Sequence, residues 1–294
     1  MSSMQAIIYD GRGTNASCLT ATEKSIKESV DERNIKVQRF SMISDNFGTH
    51  ESPVSLFVVP GGNYRDMSAE LCLSKDKIHQ LVKEHGAAYF GICAGAIAAS
   101  KKPFFSTSVI EIGESTNVEI APYIYLQEAS FLELYSGKTC SFRAKEASRF
   151  FGTCKVRREG ADTGYHHYYN EGLCFNVGRS RTAQILSRYE EYSFSGKIFD
   201  ITRQKSKKFN TIVPISAVTE KVEKGRVLLA GFHPEMDPET LSQWPIPSHI
   251  EPFVQRDISE KLNRTVETLR ESRADQQETM LDFLTRLEVP VKKA

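Results

Sequence analysis

A single cysteine lies in a glycine-flanked segment that is typical of an exposed catalytic nucleophile. The segment Gly91-Ile92-Cys93-Ala94-Gly95 follows an apolar run and precedes an alanine-rich stretch. A nucleophile in a tight strand-to-helix turn needs small neighbours, because the backbone passes close to itself there. The N-terminus of the following helix would direct its positive dipole end at the sulfur and favour the thiolate. A buried structural cysteine between packing glycines is the competing interpretation, and the pentapeptide alone does not separate the two.

A histidine and a glutamate follow a later apolar run at a spacing suited to a general base and its orienting group. They lie in Gly231-Phe232-His233-Pro234-Glu235. Alternate residues of an extended segment point the same way, and a residue before proline is pushed towards extended dihedrals. We therefore expect the Glu235 carboxylate to hold one ring nitrogen of His233 while the other faces Cys93. The competing interpretation is a surface histidine beside a solvated glutamate. We call Cys93, His233 and Glu235 the candidate triad.

Acyl-transfer chemistry at a cysteine also needs donors for the developing oxyanion. The amide of Ala94, directly after the nucleophile, is one expected donor. Gly62 is the other, because Pro60-Gly61-Gly62-Asn63 ends the preceding strand and glycine exposes bare N–H groups. An ordinary turn would have the same composition, but its position before the nucleophile segment favours the functional interpretation.

The remaining substrate contacts are expected from the same loops and from an aromatic run. The residues concerned are Tyr9, Gly13, Gly61, Asn63, Tyr168 and Asn170. No metal or cofactor is expected, because the six cysteines include no Cys-x-x-Cys pair. The adjacent His166 and His167 diverge in a strand and are not expected to share a metal.

The chemistry-bearing segments follow short apolar runs that alternate with helical patterns. The runs are Ala6–Tyr9, Leu56–Val59, Ala87–Ile92 and Val227–Gly231, and helical patterns cover 21–33, 78–86 and 94–100. This alternation predicts an α/β fold with a flavodoxin-like, doubly wound, mostly parallel sheet. Ligands in such sheets bind beyond the carboxyl ends of the strands, where the segments above begin.

Two regions depart from this alternation. Residues 104–178 have short strand-like pieces, which predict a β-rich elaboration within an α/β domain spanning 1–245. From 246 to 294 we expect a C-terminal helical extension, because apolar residues recur every three or four positions from Ile250 to Leu269. A polar stretch, 270–279, is expected to interrupt it. The extension would pack on the domain, in a homodimer, or on a partner protein.

Composition excludes several classes of partner. The 294 residues carry 38 basic and 37 acidic side chains, so no overall field favours nucleic acid. No apolar run approaches the roughly 20 residues that span a bilayer, so no membrane association is expected. The N-terminal residues lack the basic and apolar regions of a signal peptide, which predicts a cytoplasmic protein. A small-molecule or peptide substrate remains the expected partner.

Taken together, these segments resemble the class I glutamine amidotransferase-like superfamily. The first loop, Tyr9-Asp10-Gly11-Arg12-Gly13-Thr14, and the run Tyr168-Tyr169-Asn170 narrow the resemblance. They are similar to the N-terminal domain of eukaryotic-type biotin-protein ligases, which also occurs as a free-standing protein. The resemblance covers about residues 4–240, with the helical tail outside it. It implies a cysteine-dependent hydrolase or amidase acting on a C–N bond of a small amino-acid-like or peptide substrate.

The chain departs from that superfamily at a position that bears on activity. Members that hydrolyse glutamine usually carry a glutamine four residues after the nucleophile, where this chain has Ile97. Gly11-Arg12-Gly13 is superficially similar to a ligase's biotinyl-adenylate loop but lies in the wrong domain, so biotin transfer is not expected. A non-catalytic ligand-binding or regulatory module using the same cleft is the alternative that these departures leave open.

Overall fold

The structure is a computed structural model with one large mixed sheet and helices on both sides of it. It describes residues 4–41, 53–100, 131–141, 151–170, 172–177, 180, 182–190, 197–200, 205–208, 215–246 and 251–292. The strands before residue 100 are β1 (Met4–Tyr9), β2 (Ile35–Phe40), β3 (Val54–Val59) and β4 (Ala88–Ile92). The later strands are β5 (Lys138–Ser141), β6 (Phe151–Arg158), β7 (Tyr165–Asn170), β8 (Leu173–Asn176), β9 (Ala183–Tyr189), β10 (Lys197–Asp200), β11 (Lys205–Lys208), β12 (Ile215–Val222) and β13 (Gly225–Ala230). The helices are α1 (Ala16–Ser29), α2 (Tyr64–Leu73), α3 (Lys75–His79) with a π-helical continuation (Gln80–Glu84), α4 (Ala94–Ala99), α5 (Pro238–Ser242), α6 (Pro252–Glu271) and α7 (Arg273–Arg286).

Among the described residues the main sheet has eleven strands, and its order brings the predicted functional loops together. The main path runs β2-β1-β3-β4-β13-β12-β9-β6-β7. The first five of these strands pair in parallel, and β12 then begins an antiparallel part. Ile92 of β4 lies opposite Ala230 of β13, so the residues that follow both strands emerge side by side at one edge. The predicted mostly parallel α/β fold is confirmed.

Local capping sets two helix boundaries that the sequence patterns did not predict. Asn15 caps α1, since its side chain accepts hydrogen bonds from the amides of Ser17 and Cys18, so the helix begins at Ala16 and not near residue 21. Asn63 does the same for α2 by accepting from the amide of Arg65. No helix was predicted over α2. Both caps lie in loops at the carboxyl edge of the sheet, and they fix where those loops end.

The C-terminal tail folds back onto the sheet as two helices. The predicted polar stretch over 270–279 contains the break between the two helices, which consists of Ser272 alone. Gln276 and Thr279 are buried, so part of the polar stretch faces the protein. Phe283 of α7 packs edge-on against Phe90 of β4, with ring centroids 6.1 Å apart. The side chains of α6 that are buried within the chain are Leu262, Thr265, Val266 and Leu269.

The described part of the β-rich region extends the main sheet. Strands β5 and β8 pair with each other, and β8 also joins β12. The apolar run 211–215 is also typical of a strand, but of this run only Ile215, which begins β12, is among the described residues. Among the described helices, none has a stretch long and apolar enough to cross a bilayer.

Candidate functional site

Cys93 occupies the sharp turn between β4 and α4 in a strained backbone conformation. Its φ is 49° and its ψ is −107°, a combination of backbone dihedrals that residues other than glycine rarely adopt. The turn is held on one side by the Cys93 amide, which donates to the carbonyl of Ala230 at 2.9 Å. On the other side α4 approaches β3 so closely that a Cβ at Gly95 would lie 2.0 Å from the carbonyl oxygen of Val59. Such strain costs on the order of 1–3 kcal/mol and persists only where packing imposes it.

The strain at Cys93 predicts an unusual order of stability between two substitutions. Cys93→Gly should be more stable than Cys93→Ala by about 1–2 kcal/mol, because glycine adopts positive φ without a Cβ penalty. Urea unfolding of the two variants measures the difference. Ala98→Gly, inside the same helix, is the control and should instead lose about 1 kcal/mol relative to the parent. Equal stability of the two Cys93 variants would show that the turn stores no strain.

His233 and Glu235 form a buried pair after β13. Nδ1 of His233 lies 2.8 Å from Oε1 of Glu235, and the two side chains are 2% and 0% exposed. The His233 amide donates to the carbonyl of Tyr168 at 2.9 Å, which anchors the segment to β7. Burial alone lowers the pKa of His233, but the Glu235 carboxylate and the nearby thiols of Cys18 and Cys93 outweigh it and raise the pKa well above its usual range. The Glu235 carboxylate therefore stabilises the protonated form of the His233 ring.

The thiol of Cys93 lies at the same edge of the sheet and contacts β7. Its Sγ is 3.7 Å from the carbonyl oxygen of Asn170, to which it donates. Nε2 of His233 is buried and has no hydrogen-bond partner among the described residues. The thiol–imidazole hydrogen bond expected from the sequence is therefore not formed in this conformation. Hydrogen bonds between catalytic groups are often long or misaligned until a substrate is bound.

The two predicted oxyanion donors, Gly62 and Ala94, lie just after β3 and β4 respectively. The loop after β1 and the loop after β3 are joined by bonds from the Asn15 amide to the Gly61 carbonyl (3.1 Å) and from the Asn63 amide to the Gly13 carbonyl (2.7 Å). This pairing leaves the Gly62 amide between them without a partner in the described part of the chain. The Ala94 amide is the first of α4 and has no partner within that helix.

The other predicted substrate residues divide between loop scaffolding and the edge of the site. Tyr9 is buried, and its hydroxyl donates to the carbonyl of Arg12 at 3.1 Å, which closes the first loop. The side chain of Asn63 caps α2, as described above. Tyr168 is buried with its ring 5.3 Å from the His233 ring, and its hydroxyl has no partner among the described residues.

Sequence reasoning missed Cys18, which lies against the candidate triad. Its Sγ is 4.0 Å from Nδ1 of His233, and a Cβ at Gly61 would lie 2.6 Å from the imidazole and 3.2 Å from this sulfur. Gly61 thus lets the ring and Cys18 pack against the loop. Burial raises the pKa of the Cys18 thiol more than the charge of His233 lowers it. Cys18 and His233 are 215 residues apart, so no local motif indicates their contact.

His167 has a structural environment. It is buried, and its ring lies 4.6 Å from that of Phe232. Burial, with smaller contributions from His166 and Arg158, lowers its pKa to about 3, so it is neutral at physiological pH. His167 therefore packs as a neutral ring beside the segment that carries His233.

The fold is that of the glutamine amidotransferases. The chain superposes on a glutamine amidotransferase from Thermotoga maritima with a TM-score of 0.51 and 13% identity, over 98% of this chain and 97% of that one. A second glutamine amidotransferase structure gives a TM-score of 0.49 at 15% identity, over 88% and 98% of the two chains. At sequence identities this low, the structural similarity shows a shared fold and nothing about activity.

The family is defined by sequence. A family model described as "Biotin-protein ligase, N terminal" matches residues 4–294, and the chain belongs to this family. The biotin-protein ligase of Schizosaccharomyces pombe is 26% identical over 251 residues, which are 80% of this chain and 34% of the ligase. The chain therefore spans about a third of the length of that relative. The family match also includes the C-terminal helices, which the resemblance based on motifs left outside.

Proposed function

We propose that the chain is a cysteine-dependent hydrolase or amidase that cleaves a C–N bond in a small amino-acid-like or peptide substrate. The strained turn at Cys93 carries the proposal, because it raises one thiol at the carboxyl edge of the sheet beside a buried His–Glu pair. We also propose that the protein acts in the cytoplasm on a small substrate. Biotin transfer is not part of the proposal, since Gly11-Arg12-Gly13, the segment superficially similar to a ligase's biotinyl-adenylate loop, lies in the first loop of this domain and not in a ligase domain.

In the proposed reaction, Cys93 attacks the substrate carbonyl as a thiolate and forms a C–S bond. The amides of Gly62 and Ala94 stabilise the negative charge that moves onto the carbonyl oxygen. Nε2 of His233 takes the thiol proton and gives it to the leaving amine, so the C–N bond breaks to a neutral amine. The same nitrogen then deprotonates water, which hydrolyses the thioester to a carboxylate and restores the thiol. Glu235 holds Nδ1–H throughout.

A ligand-binding or regulatory module in the same cleft is the second candidate function. Two observations favour it. The Cys93 thiol donates to the Asn170 carbonyl and not to His233, and Ile97 replaces the glutamine usual in glutamine-hydrolysing members of the superfamily. Ile97 is 8% exposed, so it offers no polar group to a glutamine side chain.

Mild alkylation separates the two functions because the exposure of the thiols and the reactivity of a nucleophile predict opposite orders of alkylation rate for Cys93 and Cys72. Cys93 is buried, at 9% exposure, whereas Cys72 is partly exposed. If accessibility alone decided the rate, Cys72 would react with iodoacetamide first. A hydrolase nucleophile should instead be modified fastest near neutral pH, by at least about tenfold, because the thiolate is the reacting species. Peptide mapping after short exposures measures both rates in one sample.

The companion experiment measures turnover on a panel of amides and small peptides. Cys93→Ala should abolish hydrolysis while the circular dichroism spectrum is unchanged, and Cys72→Ala should retain it. Activity that survives in Cys93→Ala refutes the hydrolase. Slow alkylation of Cys93 together with ligand binding that survives in Cys93→Ala would establish the binding module.

A further inference from the structure

Three side chains of the types that bind zinc meet on the Nδ1 side of His233. They are Cys18, His233 and Glu235, and one donor atom from each lies within 4.8 Å of the other two. A tetrahedral zinc ion with bonds of about 2.0–2.3 Å separates its ligands by about 3.3–3.8 Å. The observed Sγ–Nδ1 distance of 4.0 Å and Nδ1–Oε1 distance of 2.8 Å lie on either side of that range. To bind one ion, Sγ and Nδ1 would move slightly closer together, and Nδ1 and the carboxylate oxygen slightly apart.

The surroundings of these atoms favour a cation. All three side chains are buried, at 6%, 2% and 0% exposure for Cys18, His233 and Glu235. Oε2 of Glu235 is also buried and has no hydrogen-bond partner among the described residues. A buried carboxylate oxygen left without a partner costs free energy. A metal ion would satisfy that oxygen and the sulfur together.

We propose that Cys18 Sγ, His233 Nδ1 and the Glu235 carboxylate form a binding site for one zinc ion. The thiolate and the carboxylate balance the two charges of the ion, so the buried assembly is neutral. On binding, the Cys18 thiol and Nδ1 of the protonated His233 each release one proton to solvent, which leaves a neutral ring whose remaining proton is on Nε2. The sequence predicted no metal because it has no Cys-x-x-Cys pair. That motif does not bear on this site, because the proposed ligands come from α1 and from the segment after β13.

Zinc binding has a consequence for the proposed hydrolase, although the site itself does not depend on that function. Nδ1 cannot donate to Glu235 and bind zinc at the same time. With its proton on Nε2, the imidazole also cannot accept the Cys93 thiol proton. Bound zinc would therefore hold the candidate triad in an inactive state, and chelation would release it.

The test is a titration of the reduced, chelator-treated full chain with Co²⁺, followed by displacement with Zn²⁺. We expect one Co²⁺ per chain with a thiolate-to-cobalt charge-transfer band, and displacement by one Zn²⁺. Cys18→Ser should remove the band and weaken Zn²⁺ binding by at least about 100-fold. Loss of a residue that only supports the ligands weakens metal binding by up to about that factor, and loss of a ligand itself should cost no less. Cys93→Ala and Cys72→Ala are the matched thiol controls, and both should keep the band.

The outcomes distinguish this site from the proposed hydrolase. The proposal is overturned if the parent chain binds no Co²⁺ or Zn²⁺, or if Cys18→Ser, with an unchanged circular dichroism spectrum, binds as tightly as the parent. It is also overturned if the band is lost in Cys93→Ala and kept in Cys18→Ser. If Cys93→Ala binds zinc but still hydrolyses substrate, the hydrolase fails and the metal site stands.

Discussion

Replacing Phe283 with alanine is expected to lower the free energy of unfolding by about 3–5 kcal/mol, the range for deleting a large buried aromatic side chain. Phe283 is fully buried and makes edge contact with Phe90 of β4 at 6.1 Å and tilted contact with Phe232 at 6.2 Å. It thus packs against β4 and against the segment after β13 that carries His233. Urea unfolding monitored by circular dichroism measures the change.

The matched control for this prediction is the same substitution on the exposed face of the neighbouring helix. Phe253 of α6 is 67% exposed, so Phe253→Ala should change the stability by less than about 0.5 kcal/mol. Similar values for the two variants would mean that α7 does not pack on the sheet as described. A loss confined to Phe283→Ala would show that the tail stabilises the domain that carries the site.

The elements nearest the candidate site were the most predictable from the sequence. The run Leu56–Val59 predicted β3, and Ala87–Ile92 predicted β4, because strands buried on both faces are continuously apolar. The turn at Cys93 was predictable because small residues flank it on both sides. Parallel pairing then brings the ends of β4 and β13 together. No local sequence pattern predicts this proximity, but the fold class requires it.

The features that escaped prediction depend on contacts between distant parts of the chain. Cys18 meets His233 only because α1 packs beside the loop that contains Gly61. The thiol of Cys93 donates to the carbonyl of Asn170, and backbone carbonyls carry no sequence signal. Within the polar stretch 270–279, Gln276 is buried and its side-chain amide donates to the carbonyl of His166 at 3.4 Å. Hydrophobic periodicity does not detect a polar side chain that is buried for its hydrogen bond.

Replacing Glu235 with glutamine is expected to lower kcat by about 10⁴-fold if the candidate triad is catalytic, the size of effect measured when a serine protease loses its orienting carboxylate. The two side chains have similar volumes, so the buried position is filled in either case. The glutamine amide could donate to Nδ1, which would place the ring proton on Nε2, where it prevents acceptance of the Cys93 proton. The loss should appear in kcat measured in the presence of a chelator, while the thermal midpoint changes little.

A control and a double substitution separate orientation of the ring from general damage to the fold. Glu239 lies shortly after Glu235 in the chain, and its exposed carboxylate pairs with Lys24. Glu239→Gln removes that carboxylate and should leave kcat unchanged. Glu235→Gln added to His233→Ala should cause almost no further loss, since residues that act as one unit are strongly non-additive. Independent, multiplying losses would assign Glu235 a structural role and not an orienting one. The buried 2.8 Å pair would then stabilise the segment after β13 without serving Cys93.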